Sequence, residues 1–194
     1  MALQLTYYRM TGTHRATYEP AQMRKYLHGR TACVRSVSVP CVKWVQAMTT
    51  GVRQPSAQKL AMLKAAAQAH VQYAAEAGAG RDVDRLMFGM SLLAKDSEQA
   101  FFQDPSYALS KHWAISTSHL THEQFDNWGW GEVVPDGVGV AFMIKRQGIF
   151  VNVAAVRDES RQWPARLCHL MTEALDEMRE LCTAADKATP PSRL

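Results

Sequence analysis

The chain has 194 residues, of which 47% are hydrophobic and 21% charged, and its formal net charge is +4. This balance is typical of a soluble globular chain that forms one domain, or most of one, with a sizeable core. Because the basic residues are scattered singly, we expect no nucleic-acid groove, whereas mild positive charge suits an anionic small molecule. No run of about 18 apolar residues occurs, so the sequence predicts no transmembrane segment.

The first part of the chain alternates short helical and extended segments. Gly12 ends the first predicted helix, and Pro20 biases Glu19 towards extended backbone. The predicted segments are a helix at 2–12, extended residues 16–20, a helical turn at 21–28, a strand at 31–39 and a helix at 41–49.

Two longer helices are predicted in the middle of the chain. Ser56 is expected to cap a helix that continues through Ala77. The inward stripe of this helix is predicted to be Leu60, Leu63, Ala67, His70 and Val71. A second helix, from Asp82 to Lys95, is predicted to bury Leu86, Met87, Met90 and Leu93, and FFQDPSY (101–107) is predicted to be a turn.

The last part of the chain predicts strands followed by one long helix. HWAIST (112–117) is predicted to be a strand, and residues 137–156 a hairpin about Gln147 and Gly148. Residues 160–184 are predicted to form the terminal helix. The whole order predicts an α/β fold in which helices pack on a mixed sheet.

The cysteines and histidines predict neither disulfide bonds nor a metal site. The four cysteines show no CxxC spacing, which favours free thiols in a reducing compartment. We interpret the seven histidines as scattered, without metal-ligand spacing, and therefore predict no zinc site.

Hydroxyl groups and indole rings stand close together between residues 116 and 130. On a strand, Ser116 and Ser118 share one face, where two hydroxyls can hold a carboxylate or a developing oxyanion. The alternative is a solvated strand end. Trp128 and Trp130 are separated by Gly129, and an indole face can hold a quaternary ammonium; the alternative is a pair of core or edge tryptophans.

Arg85 lies in the apolar segment DVDRLMFGM, directly after Asp84. A guanidinium in such a helix is either paired with a neighbouring acid or directed at an anion. The sequence leaves both readings open.

Seven motifs in one order resemble the choline/carnitine acyltransferase family. They are ALQLTYYR, TYEPAQMRKYLHGRTACVRS, DVDRLMFGM, DPSY, WAISTS, VVPDGVGV and ALDEMREL. They extend over residues 2–184 and match the C-terminal third of such proteins. The resemblance implies an α/β fold of the chloramphenicol acetyltransferase type, built from two similar halves around a tunnel. Residues 1–184 would be the C-terminal part of that domain, and residues 185–194 a flexible tail.

The resemblance also implies an activity, which is transfer of an acyl group between coenzyme A and a quaternary-ammonium alcohol. In the family a histidine of the first half removes the proton of the alcohol, and no residue here matches it. We therefore expect the chain to need a missing N-terminal half, to use carnitine and acetyl-CoA, and to be inactive alone. The alternatives are a catalytically inactive truncated remnant and a carnitine-binding module.

The resemblance assigns a role to each candidate residue. Ser118 matches the hydroxyl that stabilises the oxyanion. The residues matched to carnitine binding are Tyr18, Thr31, Arg85, Ser116 and Trp130. Trp128 stands where the family limits the acyl pocket. His119 matches a residue that contacts coenzyme A. Glu19 matches an acid that helps to order the site, and we assign it, like His119, to coenzyme binding.

Two of these matches narrow the substrate. Choline has no carboxylate, so Thr31 and Arg85 favour carnitine, and the indole of Trp128 favours short acyl groups such as acetyl. Five positions depart from the family pattern: Pro20, Val71, His119, Glu132 and Val138.

The C-terminus carries a candidate address. Ser192, Arg193 and Leu194 are a variant of the Ser-Lys-Leu peroxisomal signal. We expect a peroxisomal location on this basis. A mitochondrial location stays open, because a leader would lie upstream of these residues.

Overall fold

The computed structural model describes residues 1–51, 54–158 and 163–188, with side chains in the last range described up to residue 184. The chain forms two compact units. The first contains Met1–His14, Val37–His70 and the residues from Ala165 onward, and the second contains Arg15–Ser36 and Val71–Pro164. The predicted tail signal at residues 192–194 lies outside the described residues.

The first unit is built from helices. They are α1 (Ala2–Thr11), α2 (Val39–Thr49), α3 (Ser56–Gly78) up to His70, and α7 (Trp163–Ala188). Gly12 ends α1 with a φ of 70°, as the sequence predicts. Both terminal nitrogens of Arg9 donate to the carboxylate of Glu177 at 2.8 Å, which joins α1 to α7.

Helix α2 begins earlier than predicted, and the predicted strand at 31–39 is correspondingly too long. The Ser38 hydroxyl accepts a hydrogen bond from the Cys41 amide and caps the helix, and Pro40 occupies its first turn. A serine followed within two residues by proline is a helix start, and this local capping overrides the alternation of apolar residues.

Helix α3 has the predicted length, but Ser56 is its first residue and not its cap. The carbonyl of Pro55 accepts hydrogen bonds from the amides of Gln58 and Lys59. The buried stripe is Leu60, Leu63, Ala66 and Ala77, whereas the predicted Ala67 and Val71 are exposed. Residues 65–67 are all alanine, so the pattern could not determine which of them faces inward.

A five-stranded mixed sheet forms the second unit, and this confirms the predicted α/β class. Its strands are β1 (Thr17–Gln22), β2 (Thr31–Arg35), β3 (Ile115–His119), β4 (Val138–Lys145) and β5 (Gly148–Ala154). The strand order is β2-β1-β3-β4-β5. Strands β1, β3 and β4 are parallel, and β2 and β5 pair antiparallel at the two edges. The predicted hairpin is β4–β5.

Strand β1 extends into the segment for which a helical turn was expected. Ala21 pairs with Ala32 and Gln22 pairs with Thr31, so pairing with β2 holds both residues extended. Turns follow only from residue 24 onward. Tertiary pairing has overridden a weak local preference here.

Three α-helices of the second unit follow α3 in the described part of the chain. They are α4 (Val83–Leu93), α5 (Gln99–Gln103) and α6 (Pro105–Lys111). The predicted turn at 101–107 is therefore wrong. The Asp104 carboxylate accepts from the Ser106 amide, with Pro105 at the first helical position, so the Asp-Pro-Ser sequence starts a helix.

Helix α4 exposes apolar residues that were predicted to be buried. Leu86 is 61% exposed and Leu93 is 84% exposed, and no residue of α4 is fully buried. The helical period correctly identified the helix. It could not reveal whether another segment covers it.

One face of the sheet is covered by the last turns of α3. The cluster comprises Ala32, Val34 and Ala77, with Ala21, Met23, Tyr73 and Ala74 packed against it. Helix packing on this face confirms that helices flank the sheet. Candidate functional residues are therefore sought on the other face. Among the described helices, none is long and apolar enough to cross a membrane.

Candidate functional site

The register of the sheet places four of the predicted residues on one face. Tyr18 pairs with Ser116 on one side and with Arg35 on the other, and Thr31 pairs with Gln22. Residues that pair, and residues two apart on a strand, project from the same face. Tyr18, Thr31, Ser116 and Ser118 therefore define one surface, which we call the hydroxyl face.

Thr31 and Ser118 also lie towards the same end of the strands. Ser118 is near the carboxyl end of β3, which runs parallel to β1, and Thr31 begins the antiparallel strand β2. Two inter-strand spacings separate them laterally, and Thr31 pairs with Gln22 whereas Ser118 is level with Pro20, so the two residues are roughly 12 Å apart.

Pro20 limits the pairing of β1 with β3 beside Ser118. The ladder consists of Thr17 with Ile115 and Tyr18 with Ser116, and the Thr117 hydroxyl donates to the Tyr18 carbonyl at 3.0 Å. In a strand, the backbone N–H and C=O groups of every second residue point to the same neighbouring strand. The nitrogen of Pro20 therefore faces β3, as the carbonyl of Tyr18 does, and it has no proton to donate. The strands therefore stop pairing next to Ser118.

Arg85 contacts Thr31 and is not paired with the acid beside it. Its Nε donates to the Thr31 carbonyl at 3.2 Å, while Asp84 forms an ion pair with Arg35 at 2.5 Å. The Asp82 carboxylate caps α4 through the Arg85 amide. Within the described residues, the terminal nitrogens of Arg85 have no hydrogen-bond partner, so they can bind an anion bidentately.

The two tryptophans sit on the hydroxyl face. Trp130 Nε1 donates to the Ser116 hydroxyl at 2.8 Å, and the ring centroids of Trp128 and Trp130 are 6.0 Å apart in an edge-to-face arrangement. The backbone of the Trp130 segment passes so close to Gly139 that a Cβ there would overlap the Trp130 and Gly131 carbonyl groups. Gly139 pairs with Ser116, so the Trp130 segment packs directly against the sheet at this position.

Replacing Gly139 with alanine is expected to displace Trp130 from Ser116 and to destabilise the chain by about 1–3 kcal/mol through overpacking. Urea unfolding measures the loss of stability, and the Trp130 indole NMR signal reports the displacement. Gly148→Ala is the matched control, because no atom lies within 4 Å of its Cβ position. A Gly139→Ala chain with an unchanged unfolding midpoint and indole signal would show that the segment is not seated there.

Glu19 and His119 lie on the face opposite to the hydroxyl face. Glu19 accepts a hydrogen bond from the Ser36 hydroxyl at 2.8 Å. His119 is hydrogen-bonded to the Thr121 hydroxyl at 2.6 Å and stacks on Phe142. The structure therefore does not group these two predicted coenzyme residues with the predicted carnitine residues.

Cys33, on the hydroxyl face between Thr31 and Arg35, does not have the properties of a nucleophile. Burial raises the pKa of its thiol to about 12, and the nearby Asp84 carboxylate adds to this effect. A thiol with such a pKa stays protonated at neutral pH and cannot attack an acyl group as a thiolate.

A family comparison agrees with the motif order. The model of the family "Choline/Carnitine o-acyltransferase" matches residues 1–173. The chain belongs to the choline/carnitine acyltransferase family.

Curated relatives match this chain over nearly its whole length. The mitochondrial carnitine O-acetyltransferase of Saccharomyces cerevisiae is 34% identical over 91% of the chain, and the carnitine O-acetyltransferase of Homo sapiens is 36% identical over 97%. The choline O-acetyltransferase of Danio rerio is 30% identical over 99% of the chain. The chain spans 27%, 30% and 31% of the length of these relatives, respectively.

Two residues next to these positions, Arg35 and Trp113, were not among the predicted site residues. The Arg35 guanidinium lies 4.7 Å from the ring centroid of Trp113, whose edge contacts the ring of Tyr18. Arg35 also borders a cavity of about 440 Å³ between α4 and α6. The strand period offered one signal, since Arg35 stands four residues after Thr31 and so shares its face, but the period cannot identify the partners of a side chain.

Proposed function

We propose that this chain is the carnitine-binding portion of a carnitine acyltransferase that moves a short acyl group, acetyl, between coenzyme A and carnitine. The observation that carries the proposal is the contact of Arg85 with Thr31 at the end of the strands towards which Ser118 also lies. It places a guanidinium, whose terminal nitrogens have no hydrogen-bond partner among the described residues, beside the first residue of the hydroxyl face on β2. Carnitine offers matching groups, which are a carboxylate, a hydroxyl and a trimethylammonium.

The carboxylate of carnitine would bind Arg85, with the hydroxyls of Thr31 and Tyr18 as further donors. Charge-assisted bidentate pairs of this kind are the strong ones in proteins. Choline lacks the carboxylate, so this arrangement supports carnitine as the substrate.

The trimethylammonium would lie against the ring of Trp130. The hydrogen bond of its indole to Ser116 fixes the ring relative to the sheet. A cation over an indole face gains about 0.5–2 kcal/mol. Trp128, in edge contact with Trp130, would close the acyl pocket to long chains.

Ser118 would stabilise the oxyanion formed during transfer. A histidine outside these 194 residues would take the proton of the carnitine hydroxyl, and the resulting oxygen would attack the thioester carbonyl carbon. The Ser118 hydroxyl would donate to the carbonyl oxygen as it becomes negative. The carbon–sulfur bond then breaks, and the coenzyme A thiolate recovers the proton from the histidine.

The coenzyme would bind at the carboxyl end of β3, where its thioester can reach Ser118 and where the next residue, His119, lies, within a fold of the chloramphenicol acetyltransferase type. The exposed apolar residues of α4, among them Leu86 and Leu93, support a need for an N-terminal half to cover them. A peroxisomal location is proposed from residues 192–194, and a mitochondrial one from the name of the yeast relative.

A carnitine-binding module without catalysis is the second candidate. It is favoured by His119, which is one of the departures from the family pattern and is hydrogen-bonded to Thr121 and stacked on Phe142. In this case the chain would bind carnitine but not support transfer.

The two candidates are separated by thiol release from acetyl-CoA in the presence of carnitine. The isolated chain is expected to give no turnover, because it lacks the base. A chimera is expected to be active when residues 1–173 replace the matching segment of the human carnitine O-acetyltransferase. Turnover by the isolated chain would contradict the external base, and a folded but inactive chimera would favour the binding module.

A further inference from the structure

We infer that Arg35 is a positioning residue that holds both Arg85 and Tyr18 at the carboxylate end of the site, an inference that rests on the proposed function. Its side chain is 27% exposed, and its guanidinium makes contacts in two directions. None of the motif roles includes it. Its effect on a ligand would therefore act through its neighbours.

The first direction leads to Arg85. Arg35 Nη2 binds the Asp84 carboxylate at 2.5 Å, and Nη1 donates to the Ser110 carbonyl at 2.6 Å. The Asp84 side chain is only 10% exposed, so the pair is well shielded from solvent. Asp84 precedes Arg85 in the first turn of α4. The Arg35 fork therefore fixes the turn from which Arg85 reaches Thr31.

The second direction leads to Tyr18. The guanidinium carbon of Arg35 lies 4.7 Å from the ring centroid of Trp113, and the ring centroids of Trp113 and Tyr18 are 5.7 Å apart in an edge-to-face contact. Arg35 also pairs with Tyr18 across β2 and β1. One side chain thus sets the positions of two proposed carboxylate donors on different elements.

Lysine at position 35 keeps the charge but loses the planar fork. It cannot bind Asp84, reach the Ser110 carbonyl and stack on Trp113 at the same time. The Arg35→Lys chain is expected to bind L-carnitine roughly tenfold more weakly, which corresponds to about 1.4 kcal/mol. Choline affinity is expected to change less than about twofold, because the described contacts of Arg35 do not include Trp130.

The experiment uses the 194-residue chain labelled with ¹⁵N-arginine and titrated separately with L-carnitine and choline by NMR. The Arg85 Nε–Hε signal, assigned with Arg85→Lys, reports its hydrogen bond to Thr31 without any ligand. Arg35→Lys is expected to remove the solvent-exchange protection of this signal. Arg9→Lys is the matched control, because Arg9 binds Glu177 with a similar fork in the first unit, and it should change neither the signal nor the carnitine-to-choline affinity ratio.

The inference is overturned if Arg35→Lys leaves both the Arg85 signal and the affinity ratio unchanged. If the unaltered chain binds carnitine no better than choline, the proposed function fails, and the Arg85 signal alone then decides the role of Arg35. Asp84→Asn provides a second variant if Arg35→Lys does not fold. It should lose the Arg85 protection in the same way, and a protected signal in the folded variant would also overturn the inference.

Discussion

Replacing Arg85 with alanine is expected to abolish the preference of the chain for carnitine over choline. The guanidinium is the strongest proposed donor to the carboxylate, and loss of a hydrogen bond to a charged group costs about 1.5–3 kcal/mol. Carnitine affinity should therefore fall by a factor between about 10 and about 150. Choline affinity should be nearly unchanged. Ligand titration by NMR measures both values.

The control for this prediction is Arg81→Ala, which removes an exposed guanidinium four residues earlier, just before α4. It changes the net charge equally and should leave both affinities in place. An equal loss of carnitine and choline affinity in Arg85→Ala would indicate general disruption of the site. No loss of either would remove Arg85 from the proposed site.

Replacing Ser118 with alanine in the active chimera is expected to lower kcat by about 10²–10³-fold, the usual effect of removing one oxyanion donor. KM for carnitine should change little, because the hydroxyl is proposed to act on the acyl oxygen in the transition state. Steady-state thiol release with varied carnitine measures both parameters.

Ser91→Ala is the control for this second prediction, since the Ser91 hydroxyl donates within its own helix to the Phe88 carbonyl at 2.7 Å. It should leave kcat unchanged. A Ser118→Ala chimera with a raised KM and normal kcat would instead assign Ser118 to substrate binding.

The sequence predicted those parts of the candidate site that follow from the two-residue alternation of side chains along a strand. Alternation placed Ser116 and Ser118 on one face, and the register adds Tyr18 and Thr31 to that face. Motif order gave the family, which the match over residues 1–173 confirms. The roles of the individual residues remain predictions.

The rest could not be predicted, because it depends on contacts between distant segments. The sequence left open whether Arg85 pairs with Asp84, and the partner of Asp84 is Arg35, 49 residues away in the chain. The exposure of α4 likewise depends on what covers a helix. Local capping by Ser38 and Asp104 was present in the sequence, but apolar patterns next to each residue obscured it.

The most direct test of a carnitine site on the hydroxyl face is to follow the tryptophan indole NMR signals of the chain while unlabelled L-carnitine is added. The chain has five tryptophans, so five Nε1–H signals report on different regions at once. Adding L-carnitine is predicted to shift the signal of Trp130, whose indole donates to Ser116, and to leave that of Trp44, fully buried in the first unit, unchanged. Five unchanged signals at the highest soluble carnitine concentration would contradict the account.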